Sequence, residues 1–206
     1  MNRSTRRNVP GTATCVTIAS ILLAALAFTG CATGGAGAPG SAADVPSAPA
    51  APAKKPFEPP AWEANVYANE ELGFSVHYPK DFTEQPAQDG GLFTAASPMQ
   101  VPRVDVSRFD ATPETTLDAV LPMMAEGLGA VGGGEATVRE SRQVELRDEV
   151  TPAIEGVIDW SFQGFPLQSF VLGTIQGDTV VAVTVTGMQG GELSELSDIA
   201  YTLYFE

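Results

Sequence analysis

The sequence predicts an α+β domain, a twisted antiparallel sheet flanked by helices, preceded by a signal peptide and a disordered linker. Three observations lead to this prediction. Residues 1–30 combine a basic start with an uncharged apolar run, and residues 31–60 are dominated by Ala, Pro and Gly. Residues 61–206 alternate β-type segments with turn residues and contain two helical patterns. Because 44% of the 206 residues are hydrophobic, one domain of ordinary size can bury a core.

The first thirty residues have the properties of an export signal. Arg3, Arg6 and Arg7 precede an uncharged apolar run from Val16 to Phe28. A membrane-spanning helix needs about 20 apolar residues, so this run is too short to cross a bilayer. It has instead the length of the apolar region of a signal peptide.

The apolar run ends in Phe28-Thr29-Gly30-Cys31, which resembles the lipobox of bacterial lipoproteins. Phe28 stands where most lipoboxes have Leu. The resemblance implies that Cys31 carries a thioether-linked diacylglycerol with acyl chains such as palmitate, and that the peptide is cut before it. The alternative is an ordinary secretory signal that is cut at the small residues 36–38.

A lipid on Cys31 would account for both cysteines of the chain. Cys15 lies in the removed peptide and Cys31 is capped, so the mature protein has no free thiol and no disulfide. Each buried CH₂ contributes about 0.8 kcal/mol, so two or three acyl chains hold a protein on the membrane. Ala32 is not the Asp that retains lipoproteins in the inner membrane of many diderms. The resemblance therefore implies the outer membrane in a diderm host, and otherwise the outer face of the plasma membrane.

Residues 31–60 are predicted to be the lipidated cysteine and a tether. Of residues 32–60, nine are Ala, seven are Pro and four are Gly. Such a segment cannot bury enough apolar surface to offset its ordering entropy, so we expect it to be disordered and to let the domain clear the lipid headgroups. Lys54 and Lys55 are expected to be a solvated pair, since lipid-binding patches need four or more basic residues.

The first half of the domain predicts strands. Residues 73–79 alternate in hydrophobicity and place Phe74, Val76 and Tyr78 on one face. Pro79 ends the run. Two further segments of strand character follow, at 91–96 and 101–109.

A helix is predicted to open at Thr112-Pro113-Glu114, where a hydroxyl N-cap precedes a proline and an acid. Pro122 interrupts the pattern and is expected to kink the helix. The glycines between 127 and 134 are expected to end it. The apolar stripe consists of Leu117, Val120, Leu121, Met124 and Leu128.

The second half of the domain predicts an antiparallel meander with tight turns at Gln163-Gly164 and at 176–178. A last helix begins near Glu192, and Tyr201 to Phe205 form either its end or a short strand. The four predicted strands span 138–146, 154–162, 165–175 and 179–187.

The stretch Asn69-Glu70-Glu71-Leu72-Gly73-Phe74-Ser75-Val76-His77-Tyr78-Pro79-Lys80-Asp81-Phe82 resembles the entry motif of PsbP-like domains. These domains occur in an extrinsic photosystem II subunit and in bacterial lipoproteins such as the LpqN type. The order of elements over 65–206 is similar as well. The resemblance implies a PsbP-like fold and a non-catalytic binding or assembly module with a protein partner in the cell envelope. No binding residue of the photosystem subunit has a match in this chain.

The charge of the chain excludes a general nucleic-acid binder. The net charge is −14, and residues 61–206 contain six basic and 23 acidic side chains. Affinity for nucleic acids depends on neutralising phosphates with Lys and Arg, which are scarce here. The acids are spread along the chain, which is typical of a well-hydrated surface.

The side chains that carry most enzyme chemistry are also scarce. His77 is the sole histidine, and it alternates away from the apolar face of its strand, so we expect it to be exposed and to bind no zinc. Glu155 and Asp159 are expected to lie roughly 13 Å apart on a solvated sheet face, too far for an acid–base pair. A dinucleotide-type glycine pattern at 127–132 closes a helix instead of opening one. The sequence thus predicts no catalytic residue, no metal and no cofactor.

Three functions remain open, in this order. The first is a membrane-anchored binding or assembly module. The second is a carrier or sensor of a small apolar ligand, in a pocket between the sheet and the methionine-containing helix at 113–128. The third is a hydrolase that uses carboxylates. The aromatic candidates for recognition are Phe165 and Trp62.

Overall fold

The computed structural model describes residues 53–87 and 90–206. The signal peptide, Cys31 and the tether as far as residue 52 lie outside these described residues. In this described part, no helix is long and apolar enough to span a membrane.

The described chain forms ten strands and two helices. The strands are β1 (Ala64–Asn69), β2 (Phe74–Pro79), β3 (Thr83–Gln85), β4 (Gly91–Ala96), β5 (Arg103–Asp110), β6 (Thr137–Glu145), β7 (Pro152–Phe162), β8 (Phe165–Gln176), β9 (Thr179–Met188) and β10 (Tyr204–Phe205). The helices are α1 (Leu117–Gly132) and α2 (Leu193–Ala200).

The strands form two sheets in which every pair is antiparallel. The small sheet has the order β1-β2-β10, and the large sheet has the order β3-β4-β5-β9-β8-β7-β6. One apolar cluster lies between α1 and the large sheet. A larger cluster joins the other face of that sheet to α2 and the small sheet. The predicted arrangement of an antiparallel sheet flanked by helices is confirmed, although sheet dominates the fold.

The central strands are buried on both faces because the large sheet lies between these two clusters. β9 is buried from Val180 to Gly187. The predicted turns connect the neighbouring strands: Gln163 and Gly164 both have positive φ, of 51° and 83°. Such angles are typical of the two-residue turn that matches the twist of a hairpin. The prediction of tight turns is therefore confirmed.

Helix α1 differs from its prediction at its beginning. It begins at Leu117, and the residues before it form a turn in which Thr112 N–H donates to Thr115 Oγ1 at 2.9 Å. Pro122 lies inside α1 without ending it. Leu121 and Met124 on either side of Pro122 are buried against the sheet, and this packing offsets the lost backbone hydrogen bond.

Helix α1 ends where glycine permits it. The C-cap is Gly133, with φ of 72°, a left-handed conformation that costs glycine little. Gly127, Gly129 and Gly132 lie within the helix, so the expectation that these glycines end α1 is wrong, and it is Gly133 that ends it.

The C-terminal segment combines both sequence alternatives. α2 ends at Ala200, and the chain then extends into β10. Tyr204 and Phe205 pair with Ser75 and Phe74 of β2, which adds the end of the chain to the small sheet. Phe74, Val76 and Tyr78 are buried, as the alternation in β2 predicts.

Residues 53–60 lie against the domain, although their composition predicts a disordered tether. Lys55 N–H donates to Asp148 O at 3.0 Å, and the ring of Phe57 stacks on His77 at 4.5 Å. Lys54 lies 3.7 Å from Asp148 Oδ2, and Lys55 Nζ lies 2.6 Å from Glu149 Oε1. Both lysines remain exposed, as expected of a solvated pair, although acidic residues of the β6–β7 connection lie beside them.

Candidate functional site

A groove of about 480 Å³ opens on the face of the large sheet that carries α1. The helix packs mainly on β7, with further contacts to β6 and β8. It therefore leaves part of β9, β5 and β4 uncovered on this face. The groove lies between the second half of α1 and these uncovered strands.

The walls of the groove are apolar. Helix α1 contributes Met124 and Leu128, and the β7–β8 hairpin contributes Trp160 and Leu167. Six large hydrophobic side chains are exposed in the described residues, and four of them line this groove. These four are Val131, Phe162, Phe165 and Met188, with exposed fractions of 50%, 41%, 62% and 47%.

The clustering of these exposed side chains is the informative feature of the groove. Single exposed hydrophobic residues are common on protein surfaces and need no explanation. A contiguous exposed patch beside a cavity is instead typical of a binding site.

The floor of the groove is polar and includes a neutralised ion pair. Asp105 on β5 accepts hydrogen bonds from Arg103 Nε at 2.8 Å and Arg103 Nη2 at 2.7 Å. Thr94 on β4 donates to the same carboxylate at 2.7 Å. The charge of Asp105 is thus matched by a two-pronged contact with the guanidinium group.

A hydrogen-bond chain holds one wall of the groove to its floor. The indole N–H of Trp160 donates to Ser169 Oγ at 2.9 Å, and Ser169 Oγ lies 2.8 Å from Thr186 Oγ1. A buried indole N–H needs a partner, and this chain supplies one. It fixes the plane of the Trp160 ring beside the groove.

Thr184 on β9 supplies a polar atom of the floor without a partner. The residue is 2% exposed, and its Oγ1 is the single buried side-chain N or O atom in the described chain that makes no hydrogen bond. Its neighbours across the strands are Asp105 on β5 and Val171 on β8. The carboxylate of Asp105 already binds Arg103 and Thr94, and the side chain of Val171 has no group that forms a hydrogen bond. A buried polar group without a partner costs about 1–3 kcal/mol.

His77 lies elsewhere, on β2 of the small sheet. It is half-buried beneath Phe57, and its backbone N–H donates to Thr202 Oγ1 at 2.8 Å. Burial lowers the pKa of its imidazole below 6.5. The expectation that His77 is exposed is therefore wrong, because residues 53–60 cover it.

Glu155 is also not on a solvated face as expected. It is buried to 8% exposure on the α2 side of the sheet, where Arg142 Nε donates to it at 2.8 Å and Tyr201 donates its phenolic hydrogen. Asp159 binds a different arginine, Arg139, at 3.3 Å. The two carboxylates are held separately, so they do not form an acid–base pair.

Two further depressions among the described residues offer less chemistry. One, of about 750 Å³, lies between the end of α1 and the start of β6 and is lined mostly by small residues. The other, of about 600 Å³, lies beside Arg142 and Glu155, which already bind each other. In residues 53–87 and 90–206, no group of three or more His, Cys, Asp or Glu side chains is placed to hold a metal ion.

Sequence reasoning found part of this groove. Phe165, which the sequence marks as a candidate for recognition, lies at the mouth, and Met124 of the expected helix lies in a wall. Trp62 instead packs partly buried against the larger core. Thr184 and Thr186 were missed. The signal that reveals them is their place at alternate positions of the otherwise apolar stretch 180–188 of β9.

Comparisons with known proteins show the fold. No protein-family model matches the chain, and no curated protein matches it. The solution structure of the cyanobacterial PsbP protein (CyanoP) from Synechocystis sp. PCC 6803 is similar, with a TM-score of 0.56 and 9% identity over 81% of this chain and 98% of that one.

Two weaker similarities involve other bacterial proteins. A protein from Bacteroides thetaiotaomicron has a TM-score of 0.48 and 18% identity over 68% of this chain and 48% of its own. A protein of unknown function from Pseudomonas aeruginosa has a TM-score of 0.36 and 12% identity, over 61% of this chain and 83% of its own. The CyanoP similarity, together with the element order described above, shows that this chain has a PsbP-like fold.

Proposed function

We propose that this protein is a non-catalytic ligand-binding module of the cell envelope, anchored by a lipid on Cys31. Its groove holds the apolar part of a small amphipathic molecule. The observation that carries the proposal is the exposed apolar mouth formed by Val131, Phe162, Phe165 and Met188 around the groove. The volume of about 480 Å³ lies within the range of roughly 300–1,000 Å³ that is typical of small-molecule sites.

The chemistry of the lining supports binding instead of catalysis. Asp105 is the carboxylate in the groove, and Arg103 and Thr94 already occupy its oxygens. A general acid or base must reach the substrate with a free oxygen. Apolar walls with a few polar atoms at the base match the usual composition of a ligand pocket.

A docking role for a protein partner is the second candidate, and one observation favours it. The tip of the β7–β8 hairpin presents Phe162 and Phe165 to solvent. Aromatic residues are enriched in the buried cores of protein interfaces. This is the binding or assembly module that the PsbP-like resemblance implies.

Binding of a neutral apolar dye tests the first candidate. We would titrate residues 32–206, which include all described residues, with Nile red and follow its fluorescence. The test variant is Val131→Glu, which places a charge at the mouth of the groove. Its matched control is Val66→Glu, since Val66 is 53% exposed and does not line the groove.

We expect the dye to bind the original protein and the Val66→Glu control alike, and Val131→Glu to weaken binding at least tenfold. Burying a charge without a partner is far more costly than burying a valine. Equal binding by all three proteins, or no binding by any, would contradict the ligand-binding proposal. In the second case the docking role would be tested next, by crosslinking in intact cells.

A further inference from the structure

We infer that the ligand of this groove has an uncharged hydroxyl head, which enters first and hydrogen-bonds to Thr184 Oγ1. This inference rests on the proposed ligand-binding function and names the class of ligand: a long-chain alcohol or another amphipathic molecule that ends in a hydroxyl group. The apolar tail of this molecule lies along the walls and leaves through the mouth.

The first argument is the unmet hydrogen bond of Thr184. Of the three threonines on the groove floor, Thr94 bonds to Asp105 and Thr186 lies within bonding distance of Ser169. Only Thr184 lacks a partner, although it is 2% exposed and lines the groove. Native proteins pair the large majority of buried polar atoms. A hydroxyl can both donate and accept, so a ligand hydroxyl can satisfy Thr184 in either direction.

The second argument is the charge around Thr184. Asp105 is its partner across β5 and β9, and Arg103 already neutralises that carboxylate, so a carboxylate head would find the guanidinium group already bound. An ammonium head would find the oxygens of Asp105 already bound by Thr94 and Arg103. Burying either charge without a free counter-charge costs far more than burying a hydroxyl. The floor therefore favours an uncharged head.

The third argument is the direction from floor to mouth. Polar atoms are found at the floor, and the apolar side chains at the mouth are those of Val131 and Phe165 among others. An amphipathic molecule that matches both ends must place its head inward and its tail outward. The opposite orientation would put the tail on Thr184 and leave its hydroxyl unpaired.

Three probes with the same alkyl chain and different heads test this inference: octanol, octanoate and octylammonium. We would use residues 32–206 carrying Trp62→Phe, so that Trp160 in the groove wall is the remaining tryptophan. Quenching or shift of its fluorescence reports binding. We expect octanol to bind at least tenfold more tightly than either charged probe, because burying a charge without a free counter-charge costs far more than burying a hydroxyl.

Two substitutions at one position separate the hydroxyl from the shape of the side chain. Thr184→Val should weaken octanol binding by roughly two- to twelvefold, the range that one hydrogen bond of about 0.5–1.5 kcal/mol supplies, and Thr184→Ser should leave it unchanged. The unliganded Thr184→Val protein should melt no lower than the original, because the lost hydroxyl has no partner. Thr186→Val should melt lower, since it loses the contact with Ser169.

The outcomes separate this inference from the proposed function. Equal binding of the three probes, tighter binding of a charged probe, or a Thr184→Val protein that binds octanol as tightly as the original would overturn the hydroxyl inference and leave the ligand-binding function intact. Binding of Nile red without binding of octanol would do the same. If neither Nile red nor any octyl probe binds, the proposed function itself fails.

Discussion

Tyr201, the residue that follows α2, donates its phenolic hydrogen to Glu155, in the middle of β7. The two residues are 46 positions apart, and their contact ties the end of the last helix to the large sheet. Arg142 on β6 binds the other oxygen of the same carboxylate. The sheet therefore keeps a buried acid on the α2 side because a strand and a helix terminus both supply donors.

Replacing Tyr201 with Phe should destabilise the fold. The buried carboxylate would keep only Arg142, and a hydrogen bond to a charged group contributes about 1.5–3 kcal/mol. We expect a loss of that size in the free energy of unfolding, measured by urea denaturation. The control is Tyr204→Phe, because the Tyr204 hydroxyl makes only an exposed contact of 3.2 Å with Lys55 O. Equal stability of Tyr201→Phe and the original protein would show that the contact is unimportant.

Stability should fall at alkaline pH. Burial and hydrogen bonds to glutamates raise the pKa of Tyr201 and of Tyr78 from 10.0 to about 12. Between these values the folded protein retains phenolic protons that the unfolded chain has lost. The contribution of the two tyrosines to the free energy of unfolding is therefore complete below pH 10 and decreases as the pH rises towards 12. Melting temperatures from pH 8 to pH 11 measure this, with Tyr201→Phe expected to show a shallower decline. An unchanged slope in that variant would argue against the assignment to Tyr201.

Two glycine-to-alanine substitutions should have opposite effects. At Gly156 on β7, a Cβ atom would lie 2.5 Å from Leu121 Cδ1 and closer still to the Glu140 carbonyl oxygen. This glycine lets α1 approach the sheet, so Gly156→Ala should cost about 1–3 kcal/mol through overpacking. At Gly127 in α1 nothing lies within 4 Å, so Gly127→Ala should stabilise by about 0.5–1 kcal/mol through helix propensity. Chemical denaturation of both variants checks the two signs.

Removing the ring of Phe57 should change the titration of His77. Phe57 stacks on the imidazole, and burial lowers the histidine pKa below 6.5. Phe57→Ala should raise that pKa towards 6.5. Because His77 is the sole histidine, its NMR resonances report the shift without ambiguity. Phe162→Ala is the control, because Phe162 lies at the groove mouth and His77 does not line the groove. This variant should leave the titration unchanged.

The same burial predicts the pH dependence of stability under mildly acidic conditions. Below pH 6.5 the unfolded chain binds a proton at His77 that the folded protein resists. The contribution of His77 to the free energy of unfolding is therefore complete above pH 6.5. It is lost as the pH falls through the lower pKa of the folded state. Phe57→Ala should reduce this dependence.

Replacing Cys31 with Ala should release the protein from the membrane. The predicted lipid anchor requires the cysteine, and two or three acyl chains account for stable attachment. We expect the variant in the soluble fraction and without incorporation of a palmitate analogue, whereas the original pellets with membranes and is labelled. Cys15→Ala is the matched control, since that cysteine lies within the predicted signal peptide. A Cys31→Ala protein that is still labelled and pelleted would contradict the prediction.

The sequence by itself determined the elements whose signals are local. Alternation identified β2 through Phe74, Val76 and Tyr78, and a turn dipeptide between two strand segments identified the hairpin at Gln163-Gly164. These patterns depend on residues that are close in the sequence, so they can be recognised without the tertiary structure. The prediction of lipidation at Cys31 has the same local character, and it still awaits its test.

Only the tertiary structure decided which polar residues are buried. The sequence predicts a solvated Glu155, but in the structure Arg142 and Tyr201 bind it. The sequence predicts an exposed His77, but Phe57 stacks on it. Thr184 belongs to a groove only because α1 packs on β7 and leaves β9 partly uncovered. Burial is a property of long-range packing, and the sequence distances involved exceed any periodicity that a strand or helix pattern can report.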